Sequence, residues 1–128
     1  IKPQDLRQAW SVIEPLLQKA CDETRGEIDM PTIIANLENW PILSIARDGA
    51  PMAVMVTCVT TRADGARTLE CLVASGEDAR EWPLVDDQFD AFAHALGCTR
   101  VRIPCARKGW LKRLGHWKMR GYVLERAI

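Results

Sequence analysis

What this 128-residue sequence most plainly lacks is a long apolar run. No stretch approaches the roughly 20 consecutive apolar residues that a bilayer-spanning helix requires. The first helix candidate carries Asp5, Arg7 and Glu14, so neither a membrane anchor nor a cleaved secretory leader is expected. Repeats and low-complexity linkers are missing too, which predicts one compact domain from end to end. Net charge is also absent, with 17 Lys and Arg against 17 Asp and Glu. A balanced total argues against a partner that attracts the molecule as a whole, such as nucleic acid or an anionic surface.

Cysteine is present but shows no organisation. Cys21, Cys58, Cys71, Cys98 and Cys105 are odd in number, form no close pair and have no histidine at ligand spacing. That pattern predicts no metal site and no disulfide framework. The five read as small buried apolar side chains of a protein kept in a reducing compartment. With 48% hydrophobic residues, the chain is long enough to bury a core without such staples. Neither histidine suggests catalysis, because His94 lies off the apolar stripe of its helix and His116 sits among cations.

The balanced total conceals a segregation of charge. Glu70, Glu77, Asp78, Glu81, Asp86, Asp87 and Asp90 face Arg80 alone, and every charged residue after Asp90 up to Arg120 is basic. The basic segment, RKGWLKRLGHWKMRGY from Arg107, groups Arg107, Lys108, Lys112, Arg113, Lys118 and Arg120 around Trp110 and Trp117.

Periodicity supplies the elements. DLRQAWSVIEPLLQKACDETRG sets Leu6, Trp10, Ile13, Leu17 and Ala20 on one helical stripe, with a kink or early break expected at Pro15. A shorter helix, capped by Asp29 with Pro31 just inside, carries Ile33, Ile34 and Leu37 up to Trp40 and stops at Pro41. Three strands follow, divided by Asp48-Gly49 and Asp64-Gly65, both strong hairpin signals. A two-residue turn at Asp64-Gly65 predicts Cys58 opposite Cys71, Val56 opposite Val73 and Thr60 opposite Leu69. The Cys58/Cys71 pair then reads as packed thiols, or alternatively as a redox switch. A third helix from about Pro83 to Leu96 presents Val85, Phe89, Phe92, Ala93 and Leu96, with Gly97 as its stop. A buried strand CTRVRIPCA, a short helix and a last strand GYVLERAI complete the chain. The third helix is a crossover, so the strands on either side of it should run parallel.

The expected fold class is therefore α+β: two N-terminal helices, an antiparallel three-strand meander, a crossover helix, a parallel strand, a short helix and a final strand. This order, together with Gly121-Tyr122 entering the last strand, resembles the GNAT N-acetyltransferase fold. The run Trp82, Phe92-Ala93, Gly97-Cys98 and Gly109-Trp110-Leu111-Lys112-Arg113-Leu114 is similar to small GNAT-like proteins of tailed bacteriophages, some of which are virion or assembly components.

The resemblance implies acetyl-CoA as cofactor, with its pyrophosphate in a glycine-rich turn before the crossover helix. There bare main-chain N–H groups and a helix N-terminus would meet the phosphates. At that place this chain has Ala74 through Trp82, with a single glycine, Gly76, one cation, Arg80, and the anions Glu77, Asp78 and Glu81. Negative side chains where a diphosphate should rest weigh against coenzyme binding, leaving Gly76 and Arg80 as weak candidate contacts. The family's acid and base positions fall on Tyr122 and Glu70. In the plain structural reading Glu70 faces solvent and Tyr122 packs at the sheet end.

At helical spacing the basic segment is expected to set Trp110, Leu111 and Leu114 on one side and cations on the rest. Its plain reading is a solvated face. Its functional reading is a docking surface made of Arg107, Lys108, Trp110, Lys112, Arg113, Lys118 and Arg120, since arginine and tryptophan dominate interface energetics. The expectation is a non-catalytic GNAT-like interaction module without cofactor or metal. Its partners would be phage structural proteins or copies of itself, in the host cytoplasm and then the virion. The alternatives are an acetyl-CoA-dependent N-acetyltransferase and, from the basic segment alone, a nucleic-acid-binding accessory protein.

Overall fold

The structure is a computed structural model that describes residues 3–24, 27–76, 82–104, 117–118 and 124–127. Its elements are α1 (Pro3–Glu23), α2 (Met30–Ala35), β1 (Ile42–Arg47), β2 (Ala50–Thr61), β3 (Arg67–Gly76), α3 (Trp82–Ala95) and β4 (Arg100–Arg102). The strands form one sheet in the order β1-β2-β3-β4, antiparallel except for the parallel β3/β4 pair across the α3 crossover.

Helices cover both faces of the sheet. On one face α1 and α2 bury Ile13, Leu17, Ala20, Cys21 and Ile33 against Ile42, Val54, Val56 and Val73. On the other, α3 buries Val85, Phe89 and Ala93 against Leu43, Ile45, Met55, Leu69 and Cys71. Ile13, Leu17, Ile33, Ile45, Leu69 and Phe89 are almost wholly enclosed. Each such side chain contributes about 1.5–3 kcal/mol through its removal from water. Of the stripes read from the sequence, Trp10, Ile13, Leu17 and Ala20 of α1 and Val85, Phe89 and Ala93 of α3 pack, with Phe92 and Leu96 at the margin of the α3 core.

Pro15 does not end the first helix, which continues to Glu23. The missing N–H leaves only the Ser11 carbonyl short of a partner, and both residues lie on the exposed side of α1, where water can serve that carbonyl. The second helix is shorter than expected. Asp29 caps it, with Oδ1 accepting from the Thr32 N–H at 2.9 Å and the Thr32 hydroxyl at 2.6 Å, but Asn36 closes it and 36–39 are turns. Leu37 and Trp40 still pack on the α1 side, whereas Ile34 is 53% exposed. Beyond α3, Cys98 N–H donates to Ala93 O at 2.9 Å and Gly97 N–H to His94 O at 3.0 Å, the paired bonds of a glycine-stopped helix.

The two Asp-Gly turns differ. At the first, Arg47 pairs with Ala50, and both Asp48 (φ 52°) and Gly49 (φ 79°) are left-handed, as a two-residue type I′ hairpin requires. At the second, Arg62 N–H donates to Ala66 O, so the loop is Ala63-Asp64-Gly65 with only Gly65 (φ 88°) left-handed. The extra loop residue shifts the register by one, and the ladder runs Thr61↔Arg67, Thr60↔Thr68, Cys58↔Glu70 and Thr57↔Cys71. A bulge then restores the expected sum, giving Val56↔Val73 with Leu72 as the additional residue. Leu72 and Val73 accordingly pack toward the same helix layer. Cys58 is thus not opposite Cys71, nor Thr60 opposite Leu69. The thiols sit one step apart along the ladder on opposite faces of the sheet, which rules out the redox switch between them.

The strand expected to be buried, β4, is an edge strand among the described residues, with Val101 half-buried and Arg100 and Arg102 exposed. The short helix and Cys105 lie outside the described residues. Residues 124–127 of the final segment are exposed and in no strand.

Candidate functional site

Among the described residues β3 and β4 pair over three positions, Thr68↔Arg100, Leu69↔Val101 and Glu70↔Arg102. β4 ends there, while β3 runs on to Gly76 with β2 as its neighbour among the described residues. Among the described residues the parallel pair therefore closes at one end of β3 and is not continued at the other.

Glu70 stands at the last closed position. The row Cys58, Glu70, Arg102 crosses three strands at one level. Arg102 Nη1 donates to Glu70 Oε1 at 2.9 Å, and the Thr60 hydroxyl approaches the same oxygen at 3.5 Å. The Glu70 side chain is 15% exposed and that of Arg102 is 50% exposed, so the carboxylate is largely enclosed and its partner half in water. Burial, and next to it the Glu70 charge, pushes the Cys58 thiol above its ordinary value. Burial, with a smaller contribution from Cys58, pushes Cys71 on the opposite face to about 12. Neither thiol is disposed to act as a thiolate nucleophile near neutral pH.

A general base must offer a free lone pair within hydrogen-bond reach of the proton it takes. Here Oε1 of Glu70 accepts from a guanidinium, so Oε2 is the oxygen that such a role would fall to. Sequence reasoning placed Glu70 in the correct strand but missed Arg102, which lies 32 residues away and becomes its neighbour only through the parallel register.

Gly76 lies within the sheet, opposite Ala53 in the β2/β3 ladder. Ala74, Ser75 and Gly76 thus belong to β3, and residues 77–81, which lead to α3, lie outside the described residues. Ser75 and Thr68, both on β3, carry buried hydroxyls with no partner among the described residues. Arg80 and Tyr122 lie outside the described residues, as do Arg107, Lys108, Trp110, Lys112, Arg113 and Arg120. Lys118 is exposed. Trp117 is half-buried and stacks on Phe89 of α3, with ring centroids 6.3 Å apart and planes 18° from parallel. It is fixed to the α3 core, which the basic pattern around it did not suggest. His94 is exposed on α3, as its place off the stripe implied. No group of three or more metal-ligating side chains occurs among the described residues, and no described helix is long and apolar enough to cross a membrane.

No protein-family model and no curated protein matches the chain. Solved structures do. An aminoglycoside acetyltransferase from an uncultured soil metagenomic sample is 11% identical, with a TM-score of 0.63 over 94% of this chain and 91% of that one. A GNAT family acetyltransferase from Staphylococcus aureus is 12% identical, with a TM-score of 0.60 over 99% and 95% of the two chains. An acetyltransferase from Trypanosoma brucei is 10% identical, with a TM-score of 0.54 over 89% and 92%. At such identities the likeness is one of architecture, and the chain has a GNAT-like α+β fold.

Proposed function

We propose that this chain is a non-catalytic GNAT-fold interaction module that docks on other proteins through the segment from Arg107 to Arg120. The observation that supports this reading best is the Glu70–Arg102 pair at 2.9 Å, which ties one oxygen of the carboxylate to a guanidinium at the place where the fold would seat its base. Gly76 adds to it: held in the ladder opposite Ala53, it leaves the sequence between β3 and α3 with Glu77, Asp78 and Glu81 and no glycine. Those residues do not fit a diphosphate, which needs approachable main-chain N–H groups and positive potential. No acetyl-CoA-dependent step is therefore assigned to the chain.

The partner is a protein with an acidic face, either a phage structural protein or a further copy of this chain. The setting in a bacteriophage particle or its assembly, reached by way of the host cytoplasm, rests on the sequence resemblance carried by Trp82, Phe92-Ala93 and the Gly109 to Leu114 run. Nucleic acid is the weaker partner, because the net charge is zero.

A second reading, an acetyl-CoA-dependent N-acetyltransferase, is favoured by one observation: among the described residues the parallel pair stops at Glu70 and Arg102 while β3 continues. An assay of acetyl transfer from acetyl-CoA to a panel of amines, run on the wild type and on Glu70→Gln, separates the two. The module reading expects no turnover that depends on Glu70. Turnover abolished by Glu70→Gln would establish the enzyme.

A further inference from the structure

Among the described residues β1 is an outer strand of the sheet, and main-chain groups at a sheet edge can pair with another chain. At Ala46 those groups are taken. Ala46 N–H donates to Gln88 Oε1 at 3.0 Å, and Gln88 Nε2 donates to Ala46 O at 2.7 Å. A primary carboxamide has one acceptor and a donor on the same carbon, the pair that a strand residue offers to its neighbour. Gln88 reaches this edge from α3, 42 residues away in sequence, and the contact is partly buried.

The position is specific. Ala46 stands opposite Pro51, which has no N–H, and the β1/β2 register shifts between Ile45 and Ala46. The inner ladder is therefore irregular at the very residue whose two main-chain groups are satisfied from outside. Successive residues of a strand point their main-chain groups to alternate sides, so a strand added to this edge would need Ser44 and Ala46 together.

We propose that Gln88 is a strand surrogate: its side-chain amide occupies the sheet edge at Ala46 and stops the sheet from growing by strand addition on the β1 side. The inference stands apart from the proposed docking role. It bears on that role by requiring that partners bind through side chains elsewhere, not by extending this sheet.

The test uses the whole chain. In the wild type, the Ala46 amide and the Gln88 side-chain NH2 should exchange with solvent at least about tenfold more slowly than unprotected amides, a factor worth about 1.4 kcal/mol. Gln88→Met keeps length and helix propensity but removes donor and acceptor. It should bring Ala46 exchange to within a few-fold of the free rate and add a concentration-dependent dimer or larger species in sedimentation velocity. If Gln88→Met keeps the wild-type circular dichroism but leaves Ala46 protected, or sediments as the wild type at every concentration, the proposal fails. Should that variant not fold, the wild-type exchange rates decide alone: slow exchange at both groups upholds the surrogate and free exchange at either overturns it.

Discussion

Trp117 ties the end of the basic segment to the core, and the strength of that tie can be measured. Its ring lies 6.3 Å from Phe89, within the 4.5–7 Å range of attractive aromatic pairs, and Phe89 is only 1% exposed. Such a pair contributes about 0.5–1.5 kcal/mol beyond the area it buries. We therefore expect Phe89→Leu and Trp117→Leu each to destabilise the protein, within the ordinary range of about 0.5–3 kcal/mol. The double variant should lose about 1 kcal/mol less than the sum of the two, because the stacking energy can be removed only once. Urea unfolding by linear extrapolation is the assay. At a slope of about 2 kcal/mol/M, the coupling amounts to a midpoint difference of about 0.5 M between the double variant and the additive expectation. Additivity to within about 0.3 kcal/mol would refute the docking of Trp117 on α3, since that is how unconnected sites behave.

Two further predictions concern titrating groups. With Cys71 pushed up to about 12 from 9.0, the fold retains a proton that the unfolded chain releases. Stability should therefore fall with rising pH across that window, at up to about 1.4 kcal/mol per unit, and be unaffected below it. Denaturant titrations from pH 8 to 10.5 should show a steeper loss in the wild type than in Cys71→Ala; equal slopes would contradict the buried thiol. The Asp29 carboxyl is held below the usual carboxylate range, chiefly by its bond from the Thr32 hydroxyl and then by that from the Thr32 N–H. Its stabilisation should be present above the ordinary carboxylate value and lost as pH falls through the lowered one. Asp29→Ala should lower the melting temperature at pH 7 and Asp29→Asn much less, as calorimetry can check.

Much of the fold was legible because the helix stripes and the crossover are local or nearly so. Ile13, Leu17, Val85, Phe89 and Ala93 declare their faces by spacing alone. What was not legible depends on a single residue of register. Asp48-Gly49 and Asp64-Gly65 are the same dipeptide, but one fills a two-residue loop and the other the last two places of a three-residue loop. No local preference separates them, because glycine supplies a left-handed residue equally well in either. The compensating bulge at Leu72 hides in an unbroken apolar run, where an extra residue leaves no mark in the pattern. The same limit conceals the site. Glu70 and Arg102 become neighbours, and Gln88 meets Ala46, only after strands and helix are placed, so a polar residue beside an apolar stripe reads as solvent-facing until the partner strand appears.

The anionic sequence from Glu77 to Glu81 is expected to be unable to seat a diphosphate. Isothermal titration of acetyl-CoA into the purified chain at moderate salt tests this most directly. The expected result is no saturable heat at micromolar to submillimolar coenzyme, for the wild type and for Arg80→Ala alike. A micromolar dissociation constant that Arg80→Ala weakens would contradict the account and make the chain a coenzyme-binding acetyltransferase.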